Sequence, residues 1–343
     1  MIIRPRYFIE TKDHLFFAVN TYHHPEEYVV SFLRYVPAES GSRFLGGSSY
    51  KKVNSAEAYS YIEEHHPEYL FTWNIENKRM MGVLREDILE VYNPIEKLEY
   101  IINNYDENPL YEKIKCLSMI FHDYASIDYS DMGVTGSTLI GLENSGESDI
   151  DFIVFGLDNH KKAVDLFGKI KDDDSFPLNR ITDELMYRVY KKRVKDNSLT
   201  FEEYKFYENR RNNRGLIGDT LFDIMATRNF DEIPRKKNLM IKQLGSMKIR
   251  ATISCDDNSY DTPSIYHVKD VEVIDGVPQN IEKVLSYTHT YTGIVKNNER
   301  VIASGVCEEV YDKENKKKTY NLIVGTSRES INEYIKLEEN PPK

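Results

Sequence analysis

The sequence GVTGSTLIGLENSGESDIDFIVF, residues 133–155, contains the strongest local signal in the chain. Its last six residues form an apolar run, broken by one aspartate, which is typical of a buried strand. Asp149 and Asp151 lie two positions apart, so their carboxylates point to the same face of this strand. An ionised carboxylate inside an apolar run is costly unless it is paired or bound to a metal. The stretch therefore predicts that Asp149 and Asp151 form a functional pair of carboxylates.

The chemistry that suits this stretch is the binding of a metal and a phosphate. Two hard oxygen ligands suit Mg²⁺, which also takes waters and substrate phosphates. Gly136 and Ser137 are expected to form a turn that leads into a helix, where backbone N–H groups suit a phosphate. A second interpretation stays open, in which the aspartates are a solvated strand end with an ion pair, and Gly136-Ser137 is an ordinary turn.

The spacing of these groups resembles the signature of the polymerase-beta-like nucleotidyltransferase superfamily. An apolar-Gly-Ser lead-in is followed by eleven residues between Ser137 and Asp149, and then by Asp-apolar-Asp-apolar. The resemblance covers about residues 110–227. The longer layout, with Phe32-Leu33-Arg34-Tyr35-Val36-Pro37 near the start, also resembles predicted archaeal nucleotidyltransferases.

The resemblance implies Mg²⁺-dependent transfer of a nucleoside monophosphate from an NTP to a hydroxyl acceptor such as RNA, a protein or a small molecule. Asp149 and Asp151 would bind both metals of a two-metal site. Gly136 and Ser137 would hold the terminal phosphates. A member of the superfamily that has lost its activity is also compatible with these residues.

The same resemblance implies a third carboxylate, which would complete the catalytic and metal-binding set from a later strand. Asp223, between Phe222 and Ile224, is the best match, and Asp219 is the runner-up. A structural pairing of Asp223 with an arginine is an open alternative.

Two basic runs flank the site in sequence, Lys191-Lys192-Arg193 and Arg210-Arg211 with Arg214. One of them would hold a triphosphate or the backbone of an acceptor, and we assign nucleotide binding to Lys191 and Lys192. The alternative is that both runs are solvated helix faces.

The patterning predicts three parts. They are an N-terminal α+β unit (1–93), a nucleotidyltransferase-like α/β domain (94–230) and a small C-terminal β-barrel that is OB-like (240–340). The barrel rests on five predicted strands, at 248–255, 265–273, 284–291, 300–311 and 319–324.

The C-terminal barrel suggests a second function. Tyr287, His289 and Tyr291 would share one strand face, and OB-folds bind single-stranded nucleic acid with aromatic and basic side chains. The alternative function is therefore a nucleic-acid-binding protein with a vestigial transferase core. The barrel could also serve only for packing.

Composition limits the remaining choices. The 343 residues carry a net charge of −11, and residues 1–234 hold 28 Lys and Arg against 40 Asp and Glu. The sequence has no apolar run of about 18 residues, so no transmembrane helix or membrane partner is expected. The N-terminus lacks a signal peptide, and three isolated cysteines argue against disulfides, so a cytoplasmic protein is expected.

Overall fold

The computed structural model describes residues 2–73, 78–104, 107–144, 146–277 and 279–339. The chain has a mixed α/β fold with three sheets, which confirms the mixed class expected from the sequence. No helix in these ranges combines the length and the apolar character needed to cross a membrane.

The contacts divide the chain into two units. One comprises residues 2–73, 78–179 and 215–234, and the other comprises 180–214 and 235–339. These boundaries differ from the three parts expected above, which remain a prediction.

The first unit begins with an antiparallel sheet, called the N-terminal sheet below. Its strands are β1 (Phe8–Thr11), β2 (Phe16–Val19), β3 (Tyr28–Pro37), β4 (Arg43–Leu45), β5 (Ser48–Lys52), β6 (Leu70–Trp73), β7 (Lys78–Leu84) and β8 (Ile88–Tyr92). They pair in the order β4-β5-β3-β2-β1-β8, with β7 also on β3 and β6 on β7. Helix α1 (Ser55–His65) is capped by Asn54 and packs Ala58 and Ile62 into the core of this sheet.

The second sheet of the first unit is mixed, and it carries the predicted carboxylates. Its elements, with the adjoining helices, are α2 (Pro94–Asn103), α3 (Pro109–Ala125), β9 (Met132–Thr135), β10 (Ile150–Phe155), α4 (Leu157–Ile170), β11 (Leu178–Asn179), β12 (Arg214–Ile217) and β13 (Thr220–Thr227). The strand order is β11-β12-β13-β10-β9. β10 pairs with β13 in parallel and with β9 antiparallel.

The two faces of β10 belong to two different hydrophobic cores. Ile150, Phe152 and Val154 pack with residues of α3 and α4. Ile153 and Phe155 pack instead with residues of the N-terminal sheet. Because side chains alternate along a strand, every second residue of β10 faces the N-terminal sheet.

The second unit combines two helices with a closed ring of strands. Its elements are α5 (Asp183–Arg193), α6 (Phe201–Arg211), β14 (Leu239–Cys255), β15 (Ser264–Asp275), β16 (Ile281–Ser286), β17 (Arg300–Asp312), β18 (Lys317–Val324) and β19 (Tyr334–Leu337). The order β14-β15-β16-β18-β17 closes because β17 also pairs with β14, and β19 extends the sheet from β17. All of these pairings are antiparallel except β16 with β18.

The aromatic strand face expected in this region is wrong. The strand ends at Ser286, and residues His289–Tyr291 form a 3₁₀ turn. The turn buries Tyr291, whose carbonyl accepts a 2.6 Å hydrogen bond from the Tyr266 hydroxyl. This long-range contact outweighs the strand propensity of the segment, so Tyr287, His289 and Tyr291 do not share one strand face.

Candidate functional site

Asp151 and Asp223 lie opposite each other on the parallel strands β10 and β13. Both are half-buried, and register partners in a sheet project from the same face. That face is the one toward the N-terminal sheet, because Ile153 and Met225, two residues further along each strand, pack in its core. Asp149 immediately precedes β10 and is exposed, so it lies at the mouth of the strand.

The electrostatic surroundings of Asp151 are those of a crowded carboxylate. Burial raises the pKa of Asp151 above its ordinary value, and the negative charges of Asp223 and Asp149 raise it further. Lys52 and Arg6 act in the opposite direction and lower this pKa. Carboxylates crowded in this way are stabilised in their charged form by an added cation.

The turn at Gly136 lies against the Asp151 carboxylate. Gly136 has φ +70°, and a Cβ built on it would collide with Oδ2 of Asp151. The position therefore requires glycine for its backbone angle and for the space beside the carboxylate.

The helix expected after Gly136-Ser137 is absent from this described stretch, because residues 136–141 form successive turns. Leu139 and Ile140 are buried in a cluster with aromatic side chains of the N-terminal sheet, and Gly141 has φ +71°. The left-handed backbone at Gly141 ends any helical run, so contact with the sheet fixes the segment in an irregular form.

Ser148, the residue before Asp149, connects the turn to the N-terminal sheet. Its Oγ accepts hydrogen bonds from Arg43 Nη1 at 2.9 Å and from Ser137 Oγ at 3.4 Å. Arg43 Nη1 also donates to the Leu142 carbonyl at 3.3 Å. Arg43 thus connects the middle and the end of the loop that separates Ser137 from Asp149.

Asp219, the runner-up for the third carboxylate, occupies a different environment. It lies in the turn between β12 and β13, and its Oδ1 accepts from Lys113 Nζ at 2.5 Å. The Lys113 contact lowers the pKa of Asp219, and the side chain is exposed. Of the two candidates, Asp223 is the one in register with Asp151.

The two lysines expected to bind nucleotide lie in the last turn of α5, in the second unit. The Nζ of Lys191 lies 5.4 Å from the ring centroid of Tyr187 and 5.8 Å from that of Tyr190. Lys192 is exposed on the same helix. Their assignment to nucleotide binding stays a prediction.

The second basic run is neither a solvated face nor a set of accessible phosphate ligands. Arg211 and Arg214 are buried, and both form ion pairs with the buried Glu208, the second at 3.1 Å. Arg210 pairs with Glu299 at 2.7 Å. The positive charges of these three arginines are therefore paired with carboxylates of the second unit, because buried charges need partners.

The arrangement of the carboxylates suits a Mg²⁺ ion that takes only one or two of its ligands from the protein. Among the residues that the structure describes, no group of three or more His, Cys, Asp and Glu side chains is arranged to enclose a metal ion. Mg²⁺ is usually held by one or two carboxylates and completes its shell with waters and phosphates. The in-register pair Asp151 and Asp223, with the Gly136 turn against it, matches that mode of binding.

Sequence reasoning missed the contribution of the N-terminal sheet to this site. The charges of Lys52 and Arg6 lower the pKa of Asp151, Arg43 donates a hydrogen bond to Ser148, and the buried Tyr35 packs against Leu139 and Ile140 of the turn segment. Tyr35 belongs to the Phe32–Pro37 stretch noted above. Arg6 lies in the turn before β1, whereas Arg43 and Lys52 are brought to the site by the pairing of β3, β4 and β5, which leaves no local sequence signal.

The chain aligns along nearly its whole length with a known archaeal protein. The chain is 39% identical over 349 aligned residues to the uncharacterized protein MJ1086 of Methanocaldococcus jannaschii. The alignment covers 98% of this chain and 100% of that relative. No family model and no solved structure matches the chain.

Proposed function

Because this chain belongs to the same family as the archaeal protein MJ1086, whose name states no activity, we propose its function from the site. The function is Mg²⁺-dependent transfer of a nucleoside monophosphate from an NTP to a hydroxyl acceptor. One observation carries the proposal: Asp151 and Asp223 are register partners on parallel strands, with the Gly136 turn packed against Asp151.

This proposal includes the finer identity of the two folds. The mixed sheet with acids on its parallel pair, β10 and β13, supports a nucleotidyltransferase-like core. The closed ring of β14 to β18 supports an OB-like barrel, which is also built from five strands.

In this proposal the carboxylates bind the metal and the glycine turn binds phosphate. Asp151 and Asp223 would hold Mg²⁺ as a pair, with the exposed Asp149 able to join them at the mouth of β10, and the backbone at Gly136 and Ser137 would bind the terminal phosphates of the NTP. The acceptor hydroxyl gives up its proton to water, and its oxygen bonds to the α-phosphorus as the bond from that phosphorus to the bridging oxygen breaks and pyrophosphate leaves. When bound, Mg²⁺ lowers the pKa of the attacking hydroxyl and neutralises charge on the leaving group.

The test compares carboxylates that differ in position. Asp151→Asn and Asp223→Asn keep the side-chain shape but remove a charged oxygen ligand. We expect each to reduce transfer at least a hundredfold, since losing even an outer partner of a metal ligand costs about 10–100-fold. The measurement is transfer of label from α-³²P NTPs to RNA, protein and small hydroxyl acceptors.

Asp219→Asn is the matched control for this experiment. It lies four residues from Asp223 but is exposed and paired with Lys113, so we expect unchanged transfer. Full transfer by Asp151→Asn would refute the proposed site, and a loss only in Asp219→Asn would make Asp219 the third carboxylate.

Nucleic-acid binding with a vestigial transferase core is the second candidate, and the closed ring of strands favours it. Here the full chain would bind single-stranded RNA with an affinity that falls as salt rises, without any label transfer. Asp151→Asn with Asp223→Asn would leave that binding unchanged. Transfer by the wild-type chain would exclude a vestigial core.

A further inference from the structure

The N-terminal sheet covers the face of the mixed sheet from which the carboxylates project. Ile153, Phe155 and Met225 pack in its core, and they share strand faces with Asp151 and Asp223. Phe8, Phe16, Tyr35 and Tyr50 of the sheet also pack against Leu139, Ile140 and Leu142 of the turn segment. The N-terminal sheet therefore contacts both the strands that carry the carboxylates and the turn segment beside them.

Strand β5 places a lysine on the part of the sheet that contacts the turn. Lys52 is the register partner of Tyr35 on β3, so the two side chains project from one face of the sheet. Tyr35 packs against Leu139, Ile140 and Leu142 of the turn segment, and Lys52 is exposed on the same face of the sheet. The adjacent Lys51 projects from the opposite face and pairs with Glu57 at 2.7 Å.

We propose that the N-terminal sheet is the phosphate-binding wall of the site and that Lys52 contacts the phosphate chain of the bound nucleotide. This inference rests on the proposed function. A triphosphate brings several negative charges to a site that already holds Asp149, Asp151 and Asp223. The phosphates and the carboxylates repel each other, and Mg²⁺ offsets part of this repulsion. The ammonium group of Lys52 offsets a further part and binds phosphate oxygens directly.

The experiment measures binding without turnover by the full chain. Lys52→Gln and its control Lys51→Gln are titrated calorimetrically with Mg²⁺ alone, with Mg²⁺ and tripolyphosphate, and with Mg²⁺ and each of the four NTPs. We expect Lys52→Gln to weaken the tightest-bound NTP and tripolyphosphate by about tenfold each, the scale of one lost hydrogen bond to a charged group. Lys51→Gln should bind as the wild type does.

Two further measurements distinguish a direct contact between Lys52 and phosphate from an effect of the Lys52 charge on Asp151. Binding of Mg²⁺ alone should not weaken in Lys52→Gln, because removing a cation does not reduce the attraction for another. Lys52→Arg should recover most of the tripolyphosphate affinity. If Lys52→Gln and Lys51→Gln bind tripolyphosphate equally tightly, this inference is overturned while the proposed function stands. If the wild-type chain binds neither NTP nor tripolyphosphate, both are overturned.

Discussion

Gly136 combines a left-handed backbone angle, φ +70°, with a position packed against the Asp151 carboxylate. Gly136→Ala should destabilise the chain by about 1–3 kcal/mol and abolish most transfer, because the new methyl group displaces the carboxylate. Urea unfolding and label transfer measure the two effects. Gly46→Ala is the control, since Gly46 has φ +58° but, among the described residues other than its chain neighbours, no heavy atom lies within 4 Å of the point that its Cβ would occupy.

Equal effects of Gly136→Ala and Gly46→Ala would mean that only backbone strain acts at Gly136. A larger effect at Gly136, accompanied by lost transfer, would attribute the difference to the contact with Asp151.

His160 gives a pH dependence that can be predicted from one residue. It is buried in α4, its Nε2 lies 3.2 Å from the Ile224 carbonyl, and burial lowers its pKa to about 4. The unfolded chain takes up this proton near pH 6.5, so stability is lost as pH falls from about 6.5 to about 4. The loss amounts to about 3 kcal/mol, at about 1.4 kcal/mol for each pH unit.

The comparison with His160→Gln isolates this contribution. The stability advantage of the wild type over His160→Gln should shrink by about that amount between pH 7 and pH 4, as measured by urea unfolding. An advantage that stays constant with pH would show that His160 does not carry the effect.

At the scale of single elements, helix α6 depends on the buried carboxylate of Glu208. This side chain pairs with both Arg211 and Arg214. Glu208→Gln removes the negative charge that faces two buried guanidinium groups, and we expect a loss of about 3–5 kcal/mol in the free energy of unfolding, measured in urea. Glu202→Gln, on an exposed position of the same helix, should change stability little. Equal stabilities of the two variants would exclude a structural role for this cluster.

The elements that could be predicted from sequence are those whose burial follows a regular period. The strand around Asp151 and the later strand around Asp223 follow from continuous apolar runs. The turns after Gly136 and the 3₁₀ turn at His289–Tyr291 could not be predicted, because contacts with distant residues fix them. The same limit applies to the candidate site: the aspartates have a local pattern, whereas strand pairing brings Lys52 to the site and Arg43 to the loop before Asp149.

At the scale of the whole molecule, the charge of −11 gives an incomplete picture of the site. The acidic excess lies in residues 1–234, yet Arg6, Arg43 and Lys52 of that same region converge on the carboxylates or on the loop before them. A net charge describes the average surface, while binding of an anion depends on where individual charges lie.

The two-faced packing of β10 has a consequence for protein engineering. Removing residues 1–93 to obtain a minimal catalytic fragment would uncover Ile153, Phe155 and Met225 together. Such a newly exposed apolar patch promotes aggregation. The amino-terminal portion therefore cannot be treated as a detachable module, and shortened or chimeric versions of this protein should retain it and accept changes in surface loops instead.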